Sequence, residues 1–475
     1  MQESSMKHKD FRRLGAPSDF LVILFCLCLL VVPACQANAG WEQANEILSR
    51  IKAPQFPDRD FNITDYGAAG DGQTDCTEAF KKAISAAHEA GGGRVVVPTA
   101  TFLSGAIHLK SNVNLYISEG AVVKFSVDPN KYLPVVYTRF EGVECMNYSP
   151  LIYAYEQENI AITGKGSLDG QANYENWWGW TKLHSQDLAE SRSQGENGVP
   201  VDKRVFGAGR RLRPNMIQPY KCRNILIEGV TITNSPMWHI HPVLSNNVIV
   251  RDVRVVGHGP NNDGCNPESC KDVLIEGCLF DTGDDCIAIK SGRNNDGRRV
   301  NVASENIVIR NCQMKDGHGG VVMGSEMSGG IRNVFAEKCA MDSPNLDRGL
   351  RIKTNSVRGG VVENVYMRNV VIGQVAESVL RIEFNYGEGD TGKFTPTVRN
   401  INMENVTSKK SRYALQINAY ERSPATDIFL KNCTFDGVER PNVLVAVKNL
   451  VLENVKINGE VVDKRAEQTS VPVKK

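Results

Sequence analysis

A short cassette, an asparagine or aspartate followed by alternating apolar residues, recurs from residue 224 onward and limits the folds open to this chain. It reads Asn224 (NILIEGV), Asn247 (NVIVRDV), Asp272 (DVLIEGC), Asn306 (NIVIRNC), Asn333 (NVFAEKC), Asn364 (NVYMRNV), Asn400 (NINMENV), Asp427 (DIFLKNC) and Asn449 (NLVLENV). Successive anchors lie 23, 25, 34, 27, 31, 36, 27 and 22 residues apart. Each cassette carries about four residues of strand alternation, a polar or glycine step, and often a second short strand. Helix-length segments are missing between anchors and leucine is not periodic, so a leucine-rich or other α/β solenoid fits poorly. A unit this small cannot bury its apolar face alone, but stacked units can. The pattern therefore predicts an all-β chain folded as a right-handed single-stranded parallel β-helix, with the hand set by the crossover rule. Stacked strands lie roughly 4.8 Å apart, so ten or so coils make a rod of roughly 50 Å. Asn and Asp suit the anchors because both tolerate a left-handed backbone.

Ahead of the repeat, Thr77 to Glu89 reads as one amphipathic helix with Ala79, Phe80, Ala83, Ile84 and Ala87 on one stripe. A solenoid needs its end covered, and this helix is an N-terminal cap. Gly91-Gly92-Gly93 follows the helix instead of opening one, the wrong context for a phosphate loop. Strands are expected at 94–98, 103–109 and 113–117, and a short helix at 40–48.

The chain begins with a polar, slightly basic stretch and then thirteen unbroken apolar residues, Phe20 to Val32. That run is too short for a mature membrane span and right for the core of a secretory signal. It ends in Val32-Pro33-Ala34-Cys35, which resembles a bacterial lipobox, with Pro33 unusual within it. The expectation is cleavage before Cys35, a diacylglycerol on its sulfur, and residence in a bacterial periplasm or on an outer membrane. Ordinary cleavage near Ala39 is the alternative, and Met6 is a second candidate start. The division is then residues 1–34 as signal peptide, 35–57 as anchor and linker, 58–460 as the β-helix domain and 461–475 as a polar tail. The domain is expected to be monomeric and to meet a membrane only through its lipid. With 55 Lys and Arg against 54 Asp and Glu, interleaved, nucleic acid is a poor partner.

Cys278, Cys312, Cys339 and Cys433 each fall six residues after an anchor and should line one inner face as small hydrophobes. Cys265, Cys270 and Cys286 cluster in sequence, leaving room for one disulfide. No Cys-x2-Cys pair with partner histidines suggests zinc. Between Asn159 and Asn224 lies an insertion, roughly 171–213, with Trp177, Trp178 and Trp180, then Arg204, Arg210, Arg211 and Arg213. The rings can stack on sugars and the guanidinium groups can bind carboxylates. A surface flap with its own small core is the competing reading.

Four polar breaks interrupt the repeat: Asn261-Asn262-Asp263-Gly264, Gly283-Asp284-Asp285-Cys286, Gly317-His318-Gly319 and Arg351-Ile352-Lys353. Asp284 and His318 both fall twelve residues after their anchors, which puts them one above the other on adjacent coils. Asp263 and Arg351 sit at later phases, sixteen and eighteen, so their placement is looser. Three carboxylates within about one coil cannot all ionise freely, and repulsion raises at least one. A protonated acid beside ionised partners is what glycosidic cleavage requires. Arg351 and Lys353 alternate on one strand face and suit an acidic sugar. Clustered aspartates holding Ca2+ against a uronate, with Arg or Lys as base, would instead serve lytic β-elimination. A non-catalytic β-helix explains the anchors but not breaks that occur together.

At these residues the chain resembles glycoside hydrolase family 28, the polygalacturonases, over about residues 58 to 458. The family signatures Asn-Thr-Asp, Gly-Asp-Asp, Gly-His-Gly and Arg-Ile-Lys appear in order, with Asn262 in place of the usual Thr. The resemblance implies inverting hydrolysis of α-1,4-linked galacturonic acid without metal or other cofactor. It implies Asp284 as general acid, Asp263 and Asp285 as holders of the water, His318 as support for the acid, and Arg351 and Lys353 as binders of the sugar carboxylate. Asn261 joins the binding set, and a family tyrosine corresponds best to Tyr386. Carboxylates one coil apart would lie near 5 Å, a spacing that normally predicts retention, whereas the resemblance implies inversion. The segments 320–330 and 238–242 resemble exo-acting bacterial members, and the insertion, with Trp177 and Trp178 facing the sugar, is expected to close one end of the groove. A galacturonate–rhamnose bond remains an alternative substrate.

Overall fold

The computed structural model describes residues 40–469. The expected signal peptide and the lipidation expected at Cys35 lie outside the described residues. The chain divides into a leading unit, Met1–Gln43, and the unit Ala44–Lys475 treated below.

Two fourteen-stranded sheets run the length of a parallel β-helix, and a third sheet completes the coil. A representative coil passes from Lys271–Glu276 in the first sheet to Leu279–Thr282 in the second and Ile287–Ile289 in the third. The anchor lies near the start of the first strand and is left-handed in every cassette, with φ between 52° and 60°. That conformation is tolerated by Asn and Asp and strained for most side chains. The two apolar positions after it, such as Val273 and Ile275 or Ile307 and Ile309, point inward and are fully buried.

Anchors also bond along the rod. Asn333 Nδ2 donates to Asn306 Oδ1 at 3.0 Å, Asn364 to Asn333 at 3.0 Å, and Asn400 to Asn364 at 2.8 Å. Aspartate ends such a run because a carboxylate cannot donate. At Asp272 the gap is filled from the N-terminal segment. Lys52 N donates to Asn247 Oδ1 at 2.9 Å, and Arg50 reaches Asp272 Oδ1 at 2.9 Å. At Asp427 the free Oδ1 of Asn400 accepts from Asn402 at 2.8 Å.

Thr77–Glu89 is a helix and buries the expected stripe. The strand expected over 103–109 is divided into Thr101–Ser104 and Ile107–His108. A β-carbon on the intervening Gly105 would stand 2.9 Å from the Lys131 carbonyl oxygen, so the chain bends there. The ten cysteines from Cys76 to Cys433 are buried and unpaired, so no disulfide joins Cys265, Cys270 and Cys286.

The polar tail expected after residue 460 is corrected. Lys464–Thr469 forms a strand that pairs antiparallel with Val447–Glu453. An open final strand would be a template for aggregation, and a reversed, charged strand covers it. Its polar composition reflects that end position and hid it from the hydrophobic pattern.

The insertion packs into the core of the rod. Trp177 is buried and packs on Tyr132 and Trp180, with ring centroids 5.6 and 4.7 Å away. The arginines turn inward as well: Arg204 pairs with Asp296 at 2.8 Å, and Arg210 with Asp187 at 2.6 Å.

Candidate active site

The four polar breaks fall on consecutive coils, at or just before the third sheet. Cys265 bridges Ile287 on the next coil, Ile287 pairs with Val321, and Val322 pairs with Arg351. Asp263, Asp284–Asp285 and His318 each precede one of these positions, and Arg351 and Lys353 lie within Arg348–Lys353.

Asp284 and His318 stand one above the other on adjacent coils. His318 Nδ1 lies 2.9 Å from Asp284 Oδ1, and the His318 amide donates to the Asp284 carbonyl at 3.1 Å. Gly317 makes this approach possible. Its φ is 147°, and a β-carbon there would stand 2.5 Å from the Asp284 carbonyl oxygen. Asp285 turns the other way and is fully buried, with Lys353 Nζ 2.6 Å from Oδ2 and Arg351 Nη1 3.2 Å from Oδ1. Gly319 packs closely beside this pairing, where a β-carbon would stand 2.6 Å from the Val322 side chain. Asp263 is buried as well. It accepts from Asn266 Nδ2 at 2.6 Å and has Lys290 Nζ 3.7 Å away.

These surroundings separate the carboxylates electrically. Burial pushes Asp263 well above the usual carboxylate range, and the Asp284 charge adds to it. Burial would raise Asp284 too, but the His318 hydrogen bond and Lys353 more than offset this and hold it at about 2. The Asp284 hydrogen bond raises His318. Asp263 and His318 thus hold protons more tightly than usual, on either side of an Asp284 that releases its proton readily.

The cleft encloses about 530 Å³. Asn261, Asp263, Asp284, His318, Lys353 and Tyr386 line it. Tyr386 carries both cations of the Arg-Ile-Lys motif over its ring, Lys353 at 5.2 Å and Arg351 at 5.5 Å. Asn261 is held by Arg213, whose guanidinium donates to Asn261 Oδ1 and to the Pro236 and Pro260 carbonyls, each at 2.7 Å. Asn262, in place of the usual Thr, ties its turn together. Its Oδ1 accepts from the Gly259 amide at 3.0 Å, and its Nδ2 donates to the Ser235 and Met237 carbonyls at 3.0 and 2.9 Å.

Trp177 and Trp178 do not line the cleft, which corrects the expectation that they stack on sugar. Trp177 is core. Trp178 donates its indole N–H to the Ser235 carbonyl at 2.9 Å and packs on Gly259, bracing the turn that leads to Asp263. The insertion reaches the cleft through Arg192, on its helix Ser185–Glu196. Sequence reasoning missed Lys290, Arg293, Glu326, Arg358 and Glu388, which line the far side with Trp238 and Glu141. Outside the cleft, His258, Asp281 and Asp316 bring ligand atoms within 4.8 Å of one another, a geometry that could admit a cation.

A parallel β-helix with an acid–imidazole pair in one cleft and a doubly cation-bound carboxylate directly behind it defines a β-helical glycoside hydrolase. Residues 92–454 match the family described as Glycosyl hydrolases family 28, and the chain belongs to it. Residues 61–119 also match the family described as Rhamnogalacturonase A/epimerase, pectate lyase-like. A hyperthermoactive exopolygalacturonase from Thermotoga maritima is 46% identical in sequence, with a TM-score of 0.86 over 90% of this chain and 98% of that one. A probable polygalacturonase of Vitis vinifera is 30% identical over 78% of this chain and 73% of its own length. An exo-poly-alpha-D-galacturonosidase of Dickeya chrysanthemi is 28% identical over 80% of this chain and 68% of its own length.

Proposed function

We propose that the protein hydrolyses polygalacturonate from chain ends, releasing galacturonic acid with inversion. One observation carries this reading. The Asp284–His318 pair, Asp263 and Lys353 share a single cleft whose far side is walled by the hairpin residue Glu141 and the insertion residue Arg192. A groove open at both ends suits internal cleavage, whereas a walled end holds one terminal unit. The likeness to the Thermotoga and Dickeya exo-acting proteins supports it.

Asp284 donates a proton to the departing glycosidic oxygen. His318 Nδ1, 2.9 Å away, is placed to supply that proton. A sugar that covers the pair removes water from it, and in a drier site the neutral imidazole and neutral carboxyl are favoured over the ion pair. Substrate binding thus returns the proton to the acid. Asp263, once ionised, holds the attacking water on the opposite face of the sugar and takes up its proton as the bond to the anomeric carbon forms, while Asp285, buried behind the cleft, fixes Lys353 and Arg351. Lys353 lies against Asp285 and also faces the cleft, where it meets a sugar carboxylate.

The test is product analysis on end-labelled oligogalacturonides with EDTA present. Stepwise release of saturated galacturonic acid, first seen by proton NMR as the β-anomer, is the expected result. A first-formed α-anomer would overturn inversion, and a ladder of mid-sized fragments would overturn end attack. Unsaturated products that vanish with EDTA would overturn hydrolysis in favour of lytic elimination. Cleavage confined to galacturonate–rhamnose oligomers would move the substrate and keep the chemistry.

The leader supports a second proposal, that the enzyme is a lipoprotein anchored through Cys35 at a bacterial periplasmic or outer-membrane face. Intact-mass measurement of the membrane-extracted protein should show an N-terminal Cys35 carrying a diacylglycerol. A mature chain beginning near Gly40 without lipid would rule this out.

A further inference from the structure

Asp263 is held at both its main chain and its side chain. Its carbonyl accepts from the His239 amide at 3.0 Å and from His239 Nδ1 at 2.8 Å, which fixes the backbone. Burial holds the His239 imidazole low, at about 4, so the ring stays neutral and the nitrogen facing the carbonyl carries the proton. Rotation of the carboxyl group is what remains, and Asn266 stops it. From three residues further along the chain, its Nδ2 donates to Asp263 Oδ2 at 2.6 Å. Lys290 Nζ also approaches Oδ2, but at 3.7 Å it is beyond hydrogen-bond reach, and Glu326 holds it at 3.0 Å. Among the described residues nothing bonds to Asp263 Oδ1, and Asp263 lines the cleft. One oxygen is tied into the wall and the other is left to the cleft.

Asn266 returns little to the fold. Cys265 before it faces the core, so strand alternation turns Asn266 to the outer face of the third sheet. There it is fully buried, it does not line the cleft, and its Oδ1 has no hydrogen-bond partner. A buried amide with an unmet acceptor costs stability. An apolar side chain of similar shape would fill the same place without that cost.

We infer that Asn266 is a positioning residue for the hydrolysis, holding Oδ2 of Asp263 so that Oδ1 alone meets the attacking water. The inference rests on the reading above of Asp263 as the base. An N–H donated to a carboxylate favours its ionised form, so the bond that aims the base also helps to ionise it. Burial raises Asp263 most, Asp284 and Asp285 add to it, and Lys290 and Lys353 oppose it. A substitution at residue 266 leaves these charged groups in place.

The experiment measures kcat, KM, the pH profile of kcat/KM and the melting temperature of Asn266→Leu on oligogalacturonides. Leucine matches the branched shape of asparagine and carries no polar atom. The expected fall in kcat is about 10- to 100-fold, the scale for a misplaced catalytic group. KM should change little, because Asn266 does not line the cleft. The acid limb should move upward, because Asp263 loses a donor to its ionised form. The melting temperature should hold or rise, because the orphaned oxygen goes with the amide. A merely structural role predicts a lower melting temperature and an acid limb in place. The limb decides: if it stays at the wild-type pH, the inference is overturned whatever the loss of rate. If the leucine variant does not fold, Asn266→Asp takes its place. It keeps the shape and sets a second carboxyl against Oδ2, and two carboxyls that share a proton displace the limb upward. An unmoved limb in that variant also overturns the inference. Asp263→Asn checks the underlying reading. Activity within tenfold of wild type there would overturn the assignment of the base and the inference with it, whereas a large loss there with no shift at residue 266 overturns the inference alone.

Discussion

Asp284→Asn should lower kcat on oligogalacturonides by at least about 1,000-fold, the upper range for losing a positioned general acid. The amide fills the same space and can still meet His318, but it has no transferable proton. Asp284 is 19% exposed, so the change leaves no buried charge unpaired and the melting temperature should hold. His318 gives an independent readout. Its pKa is raised by Asp284, so its NMR titration should fall back toward the ordinary imidazole value in the variant. Activity retained within tenfold would remove Asp284 from the acid role and return the question to Asp263, whose carboxyl is raised by burial and by the Asp284 charge.

The pH profile follows from the same pair of shifts. Asp263 must be ionised to take a proton from water, so activity rises as pH passes upward through its raised pKa. His318 must be protonated to supply Asp284, so activity falls as pH passes upward through its raised pKa. Both limbs of the bell in kcat/KM are therefore displaced upward, the acid limb above the ordinary carboxylate range and the alkaline limb above the ordinary imidazole value.

What could be read in the sequence follows from what phase and pairing rules can carry. Asp284 and His318 were legible because equal distances from their anchors mean equal positions on stacked coils. Arg351 and Lys353 were legible as alternate residues of one strand. The side of the cleft formed by Arg293, Arg358 and Glu388 was not. These residues lie in loops after third-sheet strands, and loop length carries no phase. Lys290 left a faint trace: it closes the apolar run Cys286 to Ile289 and bridges Glu268, 22 residues earlier. The three tryptophans misled because aromatic clusters serve both sugar platforms and small cores. Trp177 instead ties the insertion into the core of the rod, against Tyr132.

The wall of the cleft depends on one buried guanidinium, and Arg139→Met should destabilise the protein by roughly 3–5 kcal/mol, the range for breaking a buried ion pair. Arg139 is fully buried and stands 3.3 Å from Glu268 and 3.5 Å from Glu144. Burial would raise both carboxyl groups. Arg139 leads the interactions that offset it, lowering Glu268 and holding Glu144 at about 2. Methionine fills the space but leaves two buried carboxylates short of a partner. Glu268 keeps His241 at 2.7 Å and Glu144 keeps Tyr137 at 2.7 Å, which bounds the loss. The sign with pH is fixed. Lowered carboxyl pKa values contribute stability above the unfolded value near 4.5, and it is lost as pH falls toward about 2. The variant should therefore lie closest to wild type in stability at acid pH and furthest from it near neutrality. Urea unfolding at pH 7 and pH 3 measures both quantities, and a shift of less than about 1 kcal/mol at pH 7 would show that the pairs do not hold the wall. The consequence reaches function because Arg139 lies on the hairpin strand Val136–Phe140, next to Glu141, and Glu268 accepts from the Gly292 amide at 3.0 Å, beside Arg293. Loosening this network frees both sides of the end wall, so surviving Arg139→Met protein should release some longer fragments beside single galacturonate units.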